Sequence, residues 1–318
     1  MENQSATVRV TAAIVTYRSE AELPACLDSI LACDVPVKAV VIDNDSRDGT
    51  LKCAQEYASC HPSIVAISSG GNIGLAAANN LVLPHIEGDY VLMLNPDTVL
   101  RPDTLSVLID ALDREPTIGV IGPKCYYEDG TPHSSYHHGW SLWHLFVWRV
   151  IPYSLTRKLY DSYARYQESE VSFVSGACLL LRSELFRQIG GYDPRYFLTV
   201  EDACDLCQRI RERGFKTIFT PRASITHLCG RSGAHVPYLS TLEGYKGDLY
   251  HFRKHHGRLG GFLAYVIVLF ACASKTGVSL LKVLVRWRRI DKENLKVYGR
   301  ILPKLLFGGP KIAYSTER

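Results

Sequence analysis

Asn95-Pro96-Asp97 closes the apolar run Tyr90 to Leu94, so Asp97 sits where a carboxylate is costly unless it meets a cation or hydrogen-bond donors. A Mg2+ or Mn2+ ion bridging a diphosphate meets that need, because such an ion takes few protein carboxylates and keeps positions for phosphate oxygens. Capping of the following helix meets it equally. Asp43, at the end of the apolar run 37–42, has the same two readings: Asp-Asn-Asp-Ser is a good turn, and a carboxylate there could accept from a nucleobase imide N–H. Gly70-Gly71-Asn72-Ile73-Gly74 lets backbone approach a ligand closely and presents a helix N-terminus to an anion. It is neither the dinucleotide fingerprint nor the P-loop. Glu201-Asp202 follows Tyr196-Phe197-Leu198, and apolar surroundings raise a carboxylate's pKa and make it a better base toward a hydroxyl. Two acids at a helix N-terminus are also favourable without any chemistry. His227, at a strand end, is either a metal ligand or a satisfied core histidine.

These residues need a scaffold, and the patterning supplies one. The run 8–15 reads as a strand, 22–31 as a helix, 37–42 as a strand, 47–59 as a helix, 64–68 as a strand and 75–83 as a helix. A fourth strand over 90–94 and a helix over 102–114 complete the alternation. Alternating apolar strands and helices predict an α/β fold with a parallel sheet covered on both faces. Ligands in such sheets bind where the strands' carboxyl ends run into loops, which brings Thr16, Asp43, Asn72 and Asp97 to one mouth. Beyond residue 118 the pattern is less regular. Strands are expected over 119–127, 171–182 and 217–226, with a helix over 201–213 capped by Gly214 and a loop over 227–233.

The chain has 318 residues, 47% apolar and 21% charged, which excludes disordered and fibrous classes. Its net charge of +4 is segregated: residues 250–318 hold 14 Lys+Arg against 3 Asp+Glu, whereas residues 1–249 hold 22 against 29. An acidic body with a basic tail argues against nucleic acid as partner and for an anionic membrane surface. The ten cysteines fall singly on apparent strands and helices, as reduced cysteines of a cytoplasmic protein do, and Cys204-x-x-Cys207 lacks the second pair that structural zinc requires. The N-terminus MENQSATVRV has no secretory pattern, so the protein is expected to stay inside the cell. Phe262 to Ala273 is wholly apolar and is followed by Lys275, Lys282, Arg286, Arg288 and Arg289. Twelve helical residues span only about 18 Å, so an interfacial or re-entrant segment is expected ahead of a full span, with a buried helix as the alternative. Trp140, Trp143, Phe146 and Trp148 suit a sugar face, a membrane surface or a core.

In order along the chain, AAIVTYRS, VVIDNDSRDGT, GGNIGLAAANN, VLMLNPDT, the stretch from FVSGACLLLR to DLCQRIRERGF, and ITHLCGRSG resemble the inverting family 2 glycosyltransferases of the GT-A fold. The likeness is strongest to rhamnosyltransferase-like members of bacterial envelope polysaccharide pathways and runs from about Val8 to Gly257. It implies a GT-A (Rossmann-like), mostly parallel sheet flanked by helices in residues 1–257, with the nucleotide-sugar half over 8–120 and the acceptor half over 121–257. Residues 258–318 would then be a helical basic extension.

By the same resemblance Thr16, Tyr17 and Asp43 hold the nucleoside, and Asn72 and Gly74 lie along the nucleotide. Asp97 matches the last acid of the D-x-D metal motif, whose first acid is replaced here by the donor-binding Asn95, and His227 completes the shell of Mg2+ or Mn2+. Asp202 is the general base and Glu201 its neighbour. Gly176, Ala177 and Cys178 line the acceptor side, and Arg231 or Ser232 reaches the diphosphate. The donor expected first is dTDP-rhamnose, the acceptor a glycan on a polyprenyl diphosphate, and the location the inner face of the plasma membrane. One departure stands out: relatives read E-D-x-D-L-C, whereas Glu201-Asp202-Ala203-Cys204-Asp205-Leu206-Cys207 carries an extra residue, absorbed by a later helix start or a bulge. That departure leaves open a catalytically silent nucleotide-sugar-binding assembly protein. A sugar-phosphate nucleotidyltransferase would also use an α/β sheet and Mg2+, but its glycine- and basic-rich signature is missing after Val15.

Overall fold

The computed structural model describes residues 8–152, 155, 167–198, 201–228, 237–286 and 288–314. The elements run β1 (Val10–Thr16), α1 (Leu23–Leu31), β2 (Val37–Asp43), α2 (Thr50–Cys60), β3 (Ile64–Ser68), α3 (Leu75–Asn80), β4 (Tyr90–Leu94), β5 (Thr98–Leu100) and α4 (Thr104–Arg114). They continue with β6 (Ile118–Tyr126), β7 (Pro132–His133), β8 (Tyr136–His137), α5 (Leu142–Val150), β9 (Ser169–Glu170), β10 (Phe173–Val174), β11 (Cys178–Arg182) and α6 (Ser183–Gln188). The last are α7 (Glu201–Arg211), β12 (Lys216–His227), α8 (Pro237–Arg286) and α9 (Arg289–Gly308). The chain divides into two compact units, Met1–His138 with Asp161–Ser232, and Gly139–Tyr160 with Gly233–Arg318. This partition takes α5 out of the first unit and falls near residue 233, ahead of the division at residue 257 that the resemblance implies.

The first unit is built on a sheet in the order β3-β2-β1-β4-β11-β6-β12-β5. β3, β2, β1 and β4 are parallel, and the register sets Thr16 opposite Asp43. β1 and β4 are buried along their whole length, as apolar strands of a doubly covered sheet must be. The second half of the sheet is mixed, as a mostly parallel GT-A sheet allows: β11 runs antiparallel to β4 and β6, and β5 antiparallel to β12. Helix and strand stop alternating after α4, and antiparallel neighbours need no crossover helix. The strand expected over 171–182 is two short strands, and residues 98–100, read as loop, are the edge strand β5. β12 shifts register between Thr220 and Ser224, around Pro221, which has no N–H to give the ladder. The core lies between the sheet and the helices α1 and α4, which contribute Leu23, Leu27, Leu105, Leu108 and Leu112.

The second unit is helical. Leu145 of α5, Leu242, Tyr245, Leu249, Phe252, Ala264, Val268 and Cys272 of α8, and Ile301 and Leu305 of α9 form its core. Arg149 Nε donates to the buried Asp248 carboxylate at 2.6 Å, so this charge is paired where it would otherwise be costly. α8 breaks at Gly257, whose φ of 68° and ψ of −164° lie in a glycine-only region. Beyond the break Ala264, Val268, Ala271 and Cys272 are buried, while Leu259, Phe262, Leu263, Val266 and Phe270 are exposed. The helix is therefore apolar on both faces, and only the inward one is covered within the protein. By length and composition alone Pro237–Val285 is long and apolar enough to cross a membrane. In α5, Trp143 is 68% exposed and stacks on Phe146 with ring centroids 5.8 Å apart.

Candidate active site

At the carboxyl ends of β1 and β2, the buried Thr16 and Asp43 meet directly: Thr16 Oγ1 donates to Asp43 Oδ1 at 3.3 Å, and Ser46 N donates to Asp43 Oδ2 at 3.1 Å. A carboxylate can accept about four hydrogen bonds, so acceptor capacity remains for a ligand. Tyr17 follows at the mouth, with the Arg18 guanidinium 5.5 Å from its ring centre. The glycine-rich loop is tied to this corner by Asn44, which the sequence reading passed over. Asn44 Nδ2 donates to Asn72 Oδ1 at 3.1 Å, while Asn44 Oδ1 accepts from Ile73 N at 3.0 Å. Its position inside the Asp43-Asn44-Asp45-Ser46 turn was the available signal.

Gly74 has φ +88° and ψ 161°, a conformation only glycine adopts without strain. Leu75 N donates to the Phe197 carbonyl at 2.6 Å, and a Cβ on Gly74 would run into the Phe197 ring and come within 2.8 Å of that carbonyl oxygen. The loop and the segment leading to α7 are thus pressed together at a point with no room for a side chain. Gly74→Ala should cost about 3 kcal/mol from backbone strain and overpacking, lowering the melting temperature by roughly 8 °C. An unchanged melting curve would refute that close approach.

β5 pairs with β12 so that Thr98 faces His227, which brings together residues 129 positions apart. His227 Nε2 lies 3.2 Å from Asp97 Oδ1 and 3.5 Å from Asn95 Nδ2, with Asp97 and His227 buried and Asn95 half-buried. Leu228 N donates to the Asp97 carbonyl at 3.0 Å and fixes the same corner. The His133 ring packs edge-on to His227 at 5.6 Å between centroids, a neighbour for which no sequence signal exists. Among the described residues no three His, Cys, Asp or Glu side chains group as a metal cage. The donors present nevertheless suit a diphosphate-bridging Mg2+ or Mn2+: adjacent ligands of an octahedral ion lie roughly 3 Å apart, and such an ion takes one or two protein ligands. Asp97 and His227 have that spacing, which without an ion is also that of a hydrogen bond.

The Ala177 carbonyl accepts from Asn95 N at 2.9 Å and from Thr98 Oγ1 at 3.4 Å, joining the segment 176–178 to the metal-ligand candidates. A Cβ placed on Gly176 would contact Ala203 Cβ at 3.6 Å, so the same segment borders the first turn of α7. Of its three residues only Gly176 is exposed. Ala177 and Cys178 are in the core, where burial pushes the Cys178 thiol well up. Cys178 thus turns its side chain into the core.

α7 starts at Glu201 and is regular through Arg211, with neither the late start nor the bulge expected from the extra residue. Asp205 instead forms a buried pair with Arg209 one turn on, at 2.7 Å. Asp202 is buried beside Glu201 in the first turn, and its Oδ1 accepts from Ala203 N at 2.5 Å. Burial pushes the Asp202 carboxyl up to about 7, the nearby Asp205 adds to the shift, and the Ala203 N–H opposes it. A carboxyl poised near neutrality is suited to taking a proton from a hydroxyl. Arg231 and Ser232 lie outside the described residues.

The family model described as glycosyl transferase family 2 matches residues 11–190. The N-acetylglucosaminyl-diphospho-decaprenol L-rhamnosyltransferase of Mycobacterium tuberculosis is 30% identical over 230 residues, 67% of this chain and 74% of that protein. Rhamnosyltransferase WbbL of Escherichia coli K12 is 24% identical over 225 residues, 67% of this chain and 81% of that one. Among solved structures, the mannosyltransferase PcManGT from Pyrobaculum calidifontis, in complex with GDP-Man and Mn2+, superposes with a TM-score of 0.58 at 18% identity. That match covers 96% of this chain and 89% of the other, and the shared fold is GT-A. A sheet whose strand ends carry Asp43, Asp97 and His227, together with a family match over more than half the chain's length, makes this chain a glycosyltransferase belonging to glycosyl transferase family 2.

Proposed function

We propose that the chain is an inverting, metal-dependent rhamnosyltransferase that moves sugar from dTDP-rhamnose to a saccharide carried on a polyprenyl diphosphate at the cytoplasmic face of the plasma membrane. The observation that carries this reading is Asp202, a buried carboxyl pushed up to about 7, bordering a segment whose Ala177 carbonyl is bonded to Asn95 and Thr98. A single displacement needs one base toward the acceptor and charge stabilisation on the leaving group, both growing in the transition state. Asp202 takes the acceptor proton, and Glu201 shares its turn. Thr16, Tyr17 and Asp43 receive the nucleoside, with Asn72 and Gly74 along the nucleotide and Gly176 on the acceptor side. Asp97 and His227 would hold the ion, which when bound neutralises charge on the departing diphosphate, with Asn95 on the donor side. Arg231 and Ser232 are assigned to the diphosphate from the resemblance alone.

The acceptor follows that of the Mycobacterium tuberculosis relative, a diphospho-decaprenol-linked saccharide, and the ion that of the solved mannosyltransferase complex. Residues 258–318, with their uncovered apolar face and cationic excess, would bring the chain to anionic lipid as a peripheral protein. Incubation of the full chain with Mn2+, dTDP-rhamnose and N-acetylglucosaminyl-diphospho-polyprenol in detergent should yield a product one deoxyhexose heavier by mass spectrometry, with inverted anomeric configuration by NMR. Transfer that persists in excess chelator would remove the metal from the proposal. Donor binding with neither transfer nor hydrolysis would identify a silent assembly protein. Pyrophosphate release from dTTP and a sugar phosphate would identify a nucleotidyltransferase.

A further inference from the structure

Past its break at Gly257, α8 is helical without interruption to its end. Every exposed residue between Arg258 and Lys282 is apolar, among them Leu259, Phe262, Leu263, Val266, Phe270 and Leu281. Lys275 is the single charged residue of that stretch, and it is drawn off the stripe: half-buried, it lies 5.5 Å from the centre of the Tyr298 ring on α9. The stripe is about 33 Å long at 1.5 Å per residue, close to the roughly 30 Å of a hydrocarbon layer, so length alone would let it cross one. α9 decides against crossing. The Tyr265 hydroxyl donates to the Leu305 carbonyl at 3.0 Å, and Cys272 Sγ lies 3.7 Å from the Tyr298 carbonyl, so α9 runs antiparallel along the same stretch. Ala264, Val268 and Cys272 meet Ile301 and Leu305 in one core, which leaves the outer face of each helix pointing away from the other. The outer face of α9 carries the exposed Glu293, Lys296 and Arg300. A spanning α8 would take these charges into hydrocarbon, where each is costly. An α8 lying in the membrane plane immerses its own stripe and keeps them in water. The ends of the stripe point to the same occupant. Arg258 and Lys282 are exposed, and neither has a carboxylate partner among the described residues. Two copies packed stripe to stripe would set cation against cation, Arg258 on Arg258 if parallel and Arg258 on Lys282 if antiparallel. Anionic headgroups would instead neutralise both ends.

We infer that α8 docks in the plane of an anionic bilayer, with the stripe from Leu259 to Leu281 at the boundary of headgroups and acyl chains, Arg258 and Lys282 among the headgroups, and the outer face of α9 in water. This rests on the reading that the chain works at a membrane, and is independent of donor and metal. For the test, a polarity-sensitive fluorescent amino acid replaces Leu259, Phe270, Leu281 or Lys296 in the full chain. The vesicles are phosphatidylcholine and phosphatidylglycerol in equal parts, with acyl chains brominated at shallow or deep positions. Shallow bromine should quench the first three sites to a similar extent and leave the Lys296 site unquenched. Deep quenching at Phe270 with shallow quenching at Leu259 and Leu281 would mean a span and overturn the in-plane placement. Flotation with the same vesicles, unbrominated, should survive 1 M NaCl, where the Debye length is about 3 Å. Release by that salt would leave electrostatic attraction alone and overturn the immersed stripe. Phe262→Ser/Phe270→Ser should bind about 100-fold more weakly, near tenfold per ring, with an unchanged melting curve to exclude misfolding. Undiminished binding by this variant would overturn the placement. So would a wild type that ignores vesicles and sediments as a dimer which the variant dissociates, since the stripe would then join two copies. Sugar transfer to a detergent-dispersed acceptor reports separately on the active site, so weakened flotation with retained transfer distinguishes this inference from the catalytic one.

Discussion

Asp202→Asn is expected to slow sugar transfer by about three orders of magnitude while leaving donor binding nearly unchanged, because it removes a base and keeps its shape. Asn cannot take a proton, and Asp202 is the described carboxyl that stands near 7 in the first turn of α7. In the wild type the rate should climb about tenfold per pH unit below 7 and level off above it, as the carboxyl ionises. The variant's residual rate should lack that limb. A wild-type profile flat between about pH 5 and pH 9 would remove Asp202 from the base role.

The same shift makes the stability of the protein depend on pH. Unfolded, the group titrates near 3.8; folded, near 7. Between those values the native chain holds a proton that the unfolded chain has released, so stability falls as pH rises through this window and stays lower above it. Asn carries no such penalty. Asp202→Asn should therefore be the more stable protein above pH 7, by on the order of 3 kcal/mol, with the advantage shrinking toward pH 4. Thermal melts of both proteins across that range would settle it, and a wild type that gains stability on going from pH 4 to pH 7 relative to the variant would contradict the assigned shift. An enzyme that is less active and more stable is the usual sign of a group held in its unfavourable state for chemistry.

Asp97→Asn should have the second large effect. Calorimetry with dTDP-rhamnose is expected to lose its Mn2+-dependent component, and kcat/KM to fall about 10³-fold, because the amide has no charge to offer the ion and the leaving diphosphate loses its counter-charge. Without metal, the two proteins should bind the nucleotide sugar equally. His227→Ala should fall between, with about a 10- to 100-fold loss, since Asp97 and the diphosphate still hold the ion. If Asp97→Asn binds donor as the wild type does at every Mn2+ concentration, Asp97 only holds the corner with His227; it is not the helix cap the sequence also allows, because β5 follows it and α4 is capped at Asp103.

The first half of the scaffold was legible because its patterns are local. A strand buried on both faces must be a run of apolar residues, and its polar terminator must lie at the sheet's edge. Thr16, Asp43, Asn72 and Asp97 could be assigned to strand ends on those grounds alone. The mixed half was less legible, since β10, β11 and β5 are too short for periodicity to separate strand from loop. The extra residue in α7 likewise had no local resolution. An α-helix accepts any phase, and only tertiary packing decided which residues of α7 face inward, Asp205 among them, buried and paired with Arg209 on the same helix.

The residue types at the site, their order and the segregation of charge were determined by the sequence alone, because composition and local period need no partner. The tertiary structure decided which of them meet. His227 reaches Asp97 only because β12 lies beside β5, and Gly74 is pressed against Phe197 only because the loop before α7 folds back over it. Cys178, one residue from a carbonyl that bonds Asn95, turns its side chain into the core. The near-neutral carboxyl of Asp202 belongs to the same class: its pKa is a property of burial, and burial exists only once distant segments have closed over it.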